Sequence, residues 1–154
     1  MISVNDSLPN FSLSSTSKKA ISQEDILGKN VVIYFYPKDL TPGCVIEANH
    51  FSKKVSLFRE IDVTIFGVSR DSVKSHLKFI NGQDLAFDLI SDPEAELCRK
   101  FGVWKEKSMF GKKYMGIERS TFLINSKGTV KKIWRNVIIN GHVDKVFKEA
   151  QNLF

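Results

Sequence analysis

Sulfur is scarce in this chain: its 154 residues contain two cysteines, Cys44 and Cys98. Two cysteines cannot build the disulfide framework of a small secreted scaffold, so the fold must rest on buried apolar surface. They do not form C-x-x-C either, because Cys44 is followed by Val45, Ile46 and Glu47, and the dithiol oxidoreductase pattern is excluded. No apolar run approaches the roughly 18 residues of a membrane span, and the start MISVNDSLPNF lacks the basic and apolar regions of a secretory signal. Three scattered histidines and two distant cysteines show none of the short ligand spacings of zinc sites. The glycines never form G-x-G-x-x-G, so neither a metal nor a flavin or nicotinamide cofactor is expected. Repeats, low-complexity tracts and linkers are missing as well. Residues 1–154 therefore read as one domain, long enough to bury roughly 68 to 70% of its unfolded surface. A reducing cytoplasm, away from membranes, is the expected setting.

Charge is present, with a net value of +6 and a pI near 9.3. It comes as scattered pairs, Lys18-Lys19, Lys53-Lys54, Lys112-Lys113 and Lys131-Lys132, rather than as one stripe interleaved with aromatics. Nucleic acid is not an expected partner. The charge serves a solvated surface, and docking of an acidic reductant is the alternative use.

Periodicity organises the rest. Phe11 to Leu13 and Lys18 to Ile21 suggest a short N-terminal hairpin, followed by a helical turn capped by Ser22 and Asp25. Val31 to Tyr36 is a run of β-branched and aromatic residues and reads as a buried strand. Pro37 ends it. A helix follows, with Ala48, Phe51, Val55 and Phe58 as its apolar stripe. Val63 to Val68 and Leu85 to Ile90 read as strands around a helix at Ser72 to Asn81 whose inward face is Val73, Leu77 and Ile80. A helix opened by Pro93 and capped by Asp92 or Ser91 has Leu97 and Phe101 on its apolar face. Thr121 to Ile124 and Thr129 to Trp134 flank a turn ending in Gly128, and Val143, Val146, Phe147, Ala150 and Leu153 mark a last amphipathic helix. Such alternation predicts an α/β fold with a mixed sheet. Trp104, Phe110, Tyr114 and Met115 read either as core or as an exposed apolar patch near the site.

The chemistry concentrates at Cys44. Thr41 has the form of an N-cap and Pro42 suits the first helical position, which puts Cys44 in the first turn. There the free backbone N–H groups and the positive end of the helix dipole stabilise a thiolate over a thiol. That gain falls short of the roughly 8 kcal/mol or more an enzyme must supply, so other groups have to act on the transition state.

Pro37, Thr41 and Cys44 match the pattern PxxxTxxC, and the chain resembles the peroxiredoxins through it. Further stretches extend the likeness: YFYPKDLTPGC, CRKFGVW at Cys98 to Trp104, EKSMFGKKYMGI leading into Glu118 to Ile124, and RNVxxxGHV from Arg135 to Val143. Together they resemble the bacterioferritin comigratory protein, or PrxQ, branch of the AhpC/TSA family over essentially the whole chain. The resemblance implies a thioredoxin fold of the peroxiredoxin type, with an N-terminal hairpin and a central mixed sheet flanked by helices. It implies a thiol-dependent peroxidase for hydrogen peroxide and organic hydroperoxides, with Cys44 as nucleophile passing through a sulfenic acid. By the same resemblance Arg119 favours the thiolate and holds the peroxide, Pro37 shields the sulfur, and Glu47 orients Arg119. Thr41 contributes a hydroxyl, and Gly43 and Cys44 contribute amides. The reductant would be a thioredoxin-like protein or a small thiol, and the chain a monomer or weak homodimer.

One departure matters. The resolving cysteine of the branch often lies five residues after the first, and here that residue is Asn49. Cys98 then has two readings. It is either an inert thiol packed beside an apolar stripe or an internal resolver, which requires its Cα to come within about 7 Å of that of Cys44, or local unfolding. The first, one-cysteine behaviour, is the favoured expectation. A cysteine hydrolase would need a histidine partner, but His50, His76 and His142 each read as surface or capping residues. A peroxide sensor that consumes one equivalent without turnover is the remaining alternative from a different class.

Overall fold

The computed structural model describes residues 1–17 and 19–154. A five-stranded sheet is its centre, in the order β5-β4-β3-β8-β9. Three of these strands, β3 (Asn30–Phe35), β4 (Val63–Ser69) and β5 (Asp88–Ser91), run parallel, whereas β8 (Ser120–Ile124) and β9 (Val130–Trp134) join antiparallel.

Because side chains alternate across a strand, β3 supplies both faces of the sheet. Val31, Ile33 and Phe35 enter one apolar cluster, with Ile26, Leu97, Cys98, Phe101 and Phe122. Val32, Tyr34 and the following Tyr36 enter the other, with Cys44, Phe51, Phe58, Phe79 and Val146. Helix α2 (Pro42–Glu60) therefore packs on the second face, beside α3 (Val73–Gln83) and α5 (His142–Leu153). Helices α1 (Gln23–Ile26) and α4 (Glu96–Lys100) cover the first. Ala48, Phe51, Val55 and Phe58 are buried as their spacing predicts, and Asn125 to Gly128 makes the turn between β8 and β9, with Gly128 at φ +78°. The N-terminal hairpin is present as β1 (Ser12–Leu13) paired with β2 (Ile21–Ser22). The expected start of its second strand, Lys18, lies outside the described residues.

Other expectations are corrected. The buried face of α3 is His76 and Phe79, and Leu77 is exposed, because a buried contact between the His76 ring and the Asp39 carboxylate claims the position that polarity assigned to solvent. Pro93 and Glu94 form a turn, and α4 begins only at Glu96, preceded by Ala95 in the left-handed region at φ +55°. Residues Trp104–Met109 (β6) and Lys112–Ile117 (β7) form a separate two-stranded arm. Phe110 at its tip is 98% exposed, while Trp104 at its base packs against the core under the Arg70 guanidinium. No helix among the described residues is long and apolar enough to cross a membrane.

Candidate active site around Cys44

Strand β3, in the middle of the sheet, delivers the chain to the carboxyl end of the parallel strands, and the 37–41 loop turns it into α2. Thr41 has the extended backbone of an N-cap, but its hydroxyl donates to the Lys38 carbonyl at 2.8 Å rather than accepting from the helix. The cap expected of its side chain is thus replaced by a bond that tightens the loop. Helical bonding begins with the Val45 N–H donating to Thr41 O at 2.9 Å, which leaves the Gly43 and Cys44 amides outside the ladder. Cys44 is in the first turn and only 1% exposed.

Arg119 enters from the segment between β7 and β8, 75 residues along the chain. Its Nη2 donates to Cys44 Sγ at 3.4 Å, and its Nη1 donates to Glu47 Oε1 at 2.7 Å. Glu47 lies one helical turn beyond Cys44 and is fully buried. The fold thus brings Cys44, Glu47 and Arg119 into direct contact. Pro37 is half-buried and lines, with Arg70, Asp71, Trp104, Lys107 and Met115, an open cleft of about 480 Å³.

The electrostatics follow from burial and the guanidinium. Loss of water raises the Glu47 pKa from 4.5 to about 7, and Arg119 offsets only part of that rise. For Arg119 burial works against the charge, but Glu47 and then Cys44 more than compensate, so its pKa is raised. Among the described residues, Glu47 Oε2 and Tyr34 Oη are buried without hydrogen-bond partners. Burial, followed by the charges of Glu47 and Cys44, holds the Tyr34 phenol well above its ordinary pKa. Lys107, which lines the same cleft as Pro37, has its pKa lowered by partial burial and then by repulsion from Arg119.

Three residues do more than the sequence reading gave them. Gly43 is one: a Cβ there would lie 3.3 Å from Arg119 Nη2 and 3.2 Å from Ile139 Cδ1, so glycine gives the guanidinium its room beside the helix. The others are His76 and His142, read as surface or capping residues and found 0% and 4% exposed. His142 Nε2 is 2.7 Å from Thr121 Oγ1, and burial followed by the charges of Lys145 and Arg119 lowers its pKa to about 4. Neither of these, nor His50, is bonded to Cys44, which leaves the hydrolase pairing without a histidine among the described residues.

Cys98 is placed quite differently. It is 0% exposed in α4, in the cluster on the opposite face of the sheet from Cys44. Burial and then the neighbouring Asp92 carboxylate push its thiol far above the usual range. Asp92 Oδ2 also accepts the Cys98 N–H at 2.9 Å, the one part of the expected Asp92 cap that is present.

Comparison with known proteins bears on this arrangement. The model of the AhpC/TSA family matches residues 4–133. The peroxiredoxin Bcp of Bacillus subtilis is 42% identical over 152 residues, which is 99% of this chain and 97% of that one. The peroxiredoxin Bcp of Xanthomonas campestris is 52% identical over 119 residues, 77% of this chain and 74% of its own. A solved structure of the Xanthomonas campestris bacterioferritin comigratory protein, described for alkyl peroxide reduction from trapped intermediate and ligand complexes, has a TM-score of 0.89 and 42% identity. That match covers 96% of this chain and 98% of the other. The mixed sheet with helices on both faces is the thioredoxin fold shared with these structures.

Proposed function

The chain belongs to the AhpC/TSA family and is a peroxidase working through a thiol, and from that premise we propose that Cys44 is the sulfur that reduces the hydroperoxide. The observation that carries the assignment is the Arg119 guanidinium, which touches Cys44 Sγ at 3.4 Å with one nitrogen and Glu47 at 2.7 Å with the other.

The Cys44 thiolate attacks one peroxide oxygen, an S–O bond forms and the O–O bond breaks. Sulfur is oxidised to the sulfenic acid by two electrons, and the departing oxygen leaves as water or an alcohol after taking a proton. Charge moves from sulfur to the leaving oxygen, so donors fixed at both ends lower the barrier selectively in the transition state. Arg119 serves one end. The Gly43 and Cys44 amides, and the Thr41 hydroxyl once it turns from Lys38, serve the attacked oxygen. Glu47 holds Arg119 against α2, and Pro37 keeps water from the sulfur. Hydrogen peroxide and organic hydroperoxides both fit this chemistry, since only the O–O group is gripped.

The sulfenic acid is then reduced by an external thiol, from a thioredoxin-like protein or a small molecule. A mixed disulfide forms with loss of water, and a second thiol releases Cys44. Cys98 does not resolve it: the thiol is buried and sits behind the sheet. Residues 1–154 act as one domain, alone or as a weak homodimer. The cytoplasm suits a cycle that needs reduced thiols. Single-turnover oxidation by peroxide followed by mass analysis tests the assignment: oxygen is expected on Cys44, and oxygen on Cys98 alone would overturn it.

A further inference from the structure

At the carboxyl ends of the parallel strands, beside the loop that starts the Cys44 helix, lies a cluster that the peroxide chemistry above does not use. Asp39, Asp71 and His76 bring their ligand-type atoms within 4.8 Å of one another, a spacing that would suit a cation. Each is already engaged within the protein. Asp71 Oδ2 accepts from the Asp39 N–H at 2.8 Å and from the Ser69 hydroxyl at 2.6 Å. Asp39 accepts from Tyr36 Oη at 2.6 Å on one oxygen and from Ser75 Oγ at 2.8 Å on the other. That is how an ionised carboxylate, an acceptor at both oxygens, is bonded.

His76 completes the set. It is 0% exposed, with Nδ1 2.7 Å from Asp39 Oδ2 and Nε2 3.0 Å from the Ile90 carbonyl. Against an ionised Asp39 and a backbone carbonyl, both ring nitrogens donate. These bonds tie the 37–41 loop to α3 and β5.

That loop needs a tie. Leu40 sits in the left-handed region at φ +63°, a conformation a residue with a side chain holds only when its surroundings over-determine it. Leu40 itself is 53% exposed and outside the buried core. The restraint comes from Asp39, one residue before, and from the Thr41 bond to Lys38, one residue after.

We propose that His76, protonated on both ring nitrogens, is a positioning residue for peroxide reduction: through Asp39 it holds the strained 37–41 loop, and with it Pro37 and Thr41, in register with Cys44. The proposal rests on the reading of Cys44 as the peroxide-reducing sulfur. The histidine touches neither sulfur nor substrate and acts only through the loop. Its buried neighbours with charge or a titratable group are Asp39 and Tyr36, and Asp71 joins them through the Asp39 backbone.

Proton–nitrogen correlation spectra of the wild-type protein should show two slowly exchanging N–H signals from the His76 ring, and a single one would overturn the proposal without any variant. In His76→Gln, which keeps one donor and loses the charge, the rate of sulfenic acid formation should fall about tenfold to a hundredfold through misplacement of the loop. Amide exchange at Lys38 to Thr41 should quicken, while reduction of the preformed sulfenic acid by a small thiol should not slow. A purely structural role would lower the melting temperature and leave this split absent. A folded His76→Gln protein with wild-type oxidation rate and wild-type loop exchange would sink the proposal. Cys44→Ser is the control that separates the two ideas: if it still consumes peroxide, the assignment of Cys44 fails, whereas the ring signals and loop exchange remain to be judged on their own.

Discussion

The two cysteines are buried to the same degree, 1% and 0% exposed, and are opposites in every other respect. Cys44 sits in the first turn of a long helix with a guanidinium at 3.4 Å. Cys98 sits in a five-residue helix beside the Asp92 carboxylate. Burial alone therefore says nothing about reactivity. A cation faces the first sulfur, a carboxylate in a dry site faces the second, and the sheet keeps the two environments apart.

The strongest way to break this contrast is to remove each sulfur in turn. Cys44→Ser should abolish peroxide consumption, whereas Cys98→Ser should leave the first, peroxide-reducing step nearly intact in single-turnover assays. Equal losses in both variants would erase the distinction. Mass mapping of peroxide-treated protein without reductant should accordingly find no Cys44 to Cys98 crosslink.

Next in size is the cation. Arg119→Met should lower the rate of Cys44 oxidation by about 10²- to 10³-fold, the loss typical of one fixed donor at a developing charge. Stopped-flow measurement of sulfenic acid formation would check it, and a loss under about threefold would mean the amides suffice.

Glu47 sharpens the contrast through pH. Its folded pKa, about 7, lies above the ordinary 4.5 because it is buried. The folded state therefore holds its proton more tightly than the unfolded chain does. That contribution is fully present below pH 4.5 and is lost as pH rises through about 7, amounting to roughly 3 kcal/mol. Denaturant unfolding across this range should show a slope that flattens in Glu47→Gln, and an unchanged slope would mean that Arg119 keeps the carboxylate ionised throughout.

The smallest effects come from packing. Gly43→Ala, whose Cβ would press on Arg119 at 3.3 Å, should slow Cys44 oxidation several-fold with little change in stability. Cys98→Ala should do the reverse, costing about 1 kcal/mol in unfolding experiments without slowing oxidation.

Legibility in the sequence followed the range of the forces involved. Val31 to Tyr36 was readable because a strand buried on both faces must be apolar throughout, and α2 because Pro42 and the Ala48, Phe51, Val55, Phe58 stripe are local signals. His76 misled because polarity was taken for exposure. Its partners Asp39 and Ile90 lie 37 and 14 residues away, beyond any helical periodicity. The β6–β7 arm escaped because most of it beyond the base at Trp104 and Ile117 is exposed, so it has no alternation of apolar and polar residues to reveal it. At the site, the residue types were legible from the resemblance, but the space left by Gly43 and the bond that turns Thr41 toward Lys38 were not.

What the amino-acid order determined alone is the local part: the strands of the central sheet, its long helices, and the seat of Cys44 in a first turn, all set by interactions within a few residues. The tertiary structure decided which charge each sulfur meets. Arg119 reaches Cys44 across 75 positions of chain, and Cys98 ends behind the sheet with an acid, because electrostatic environment depends on distance in space.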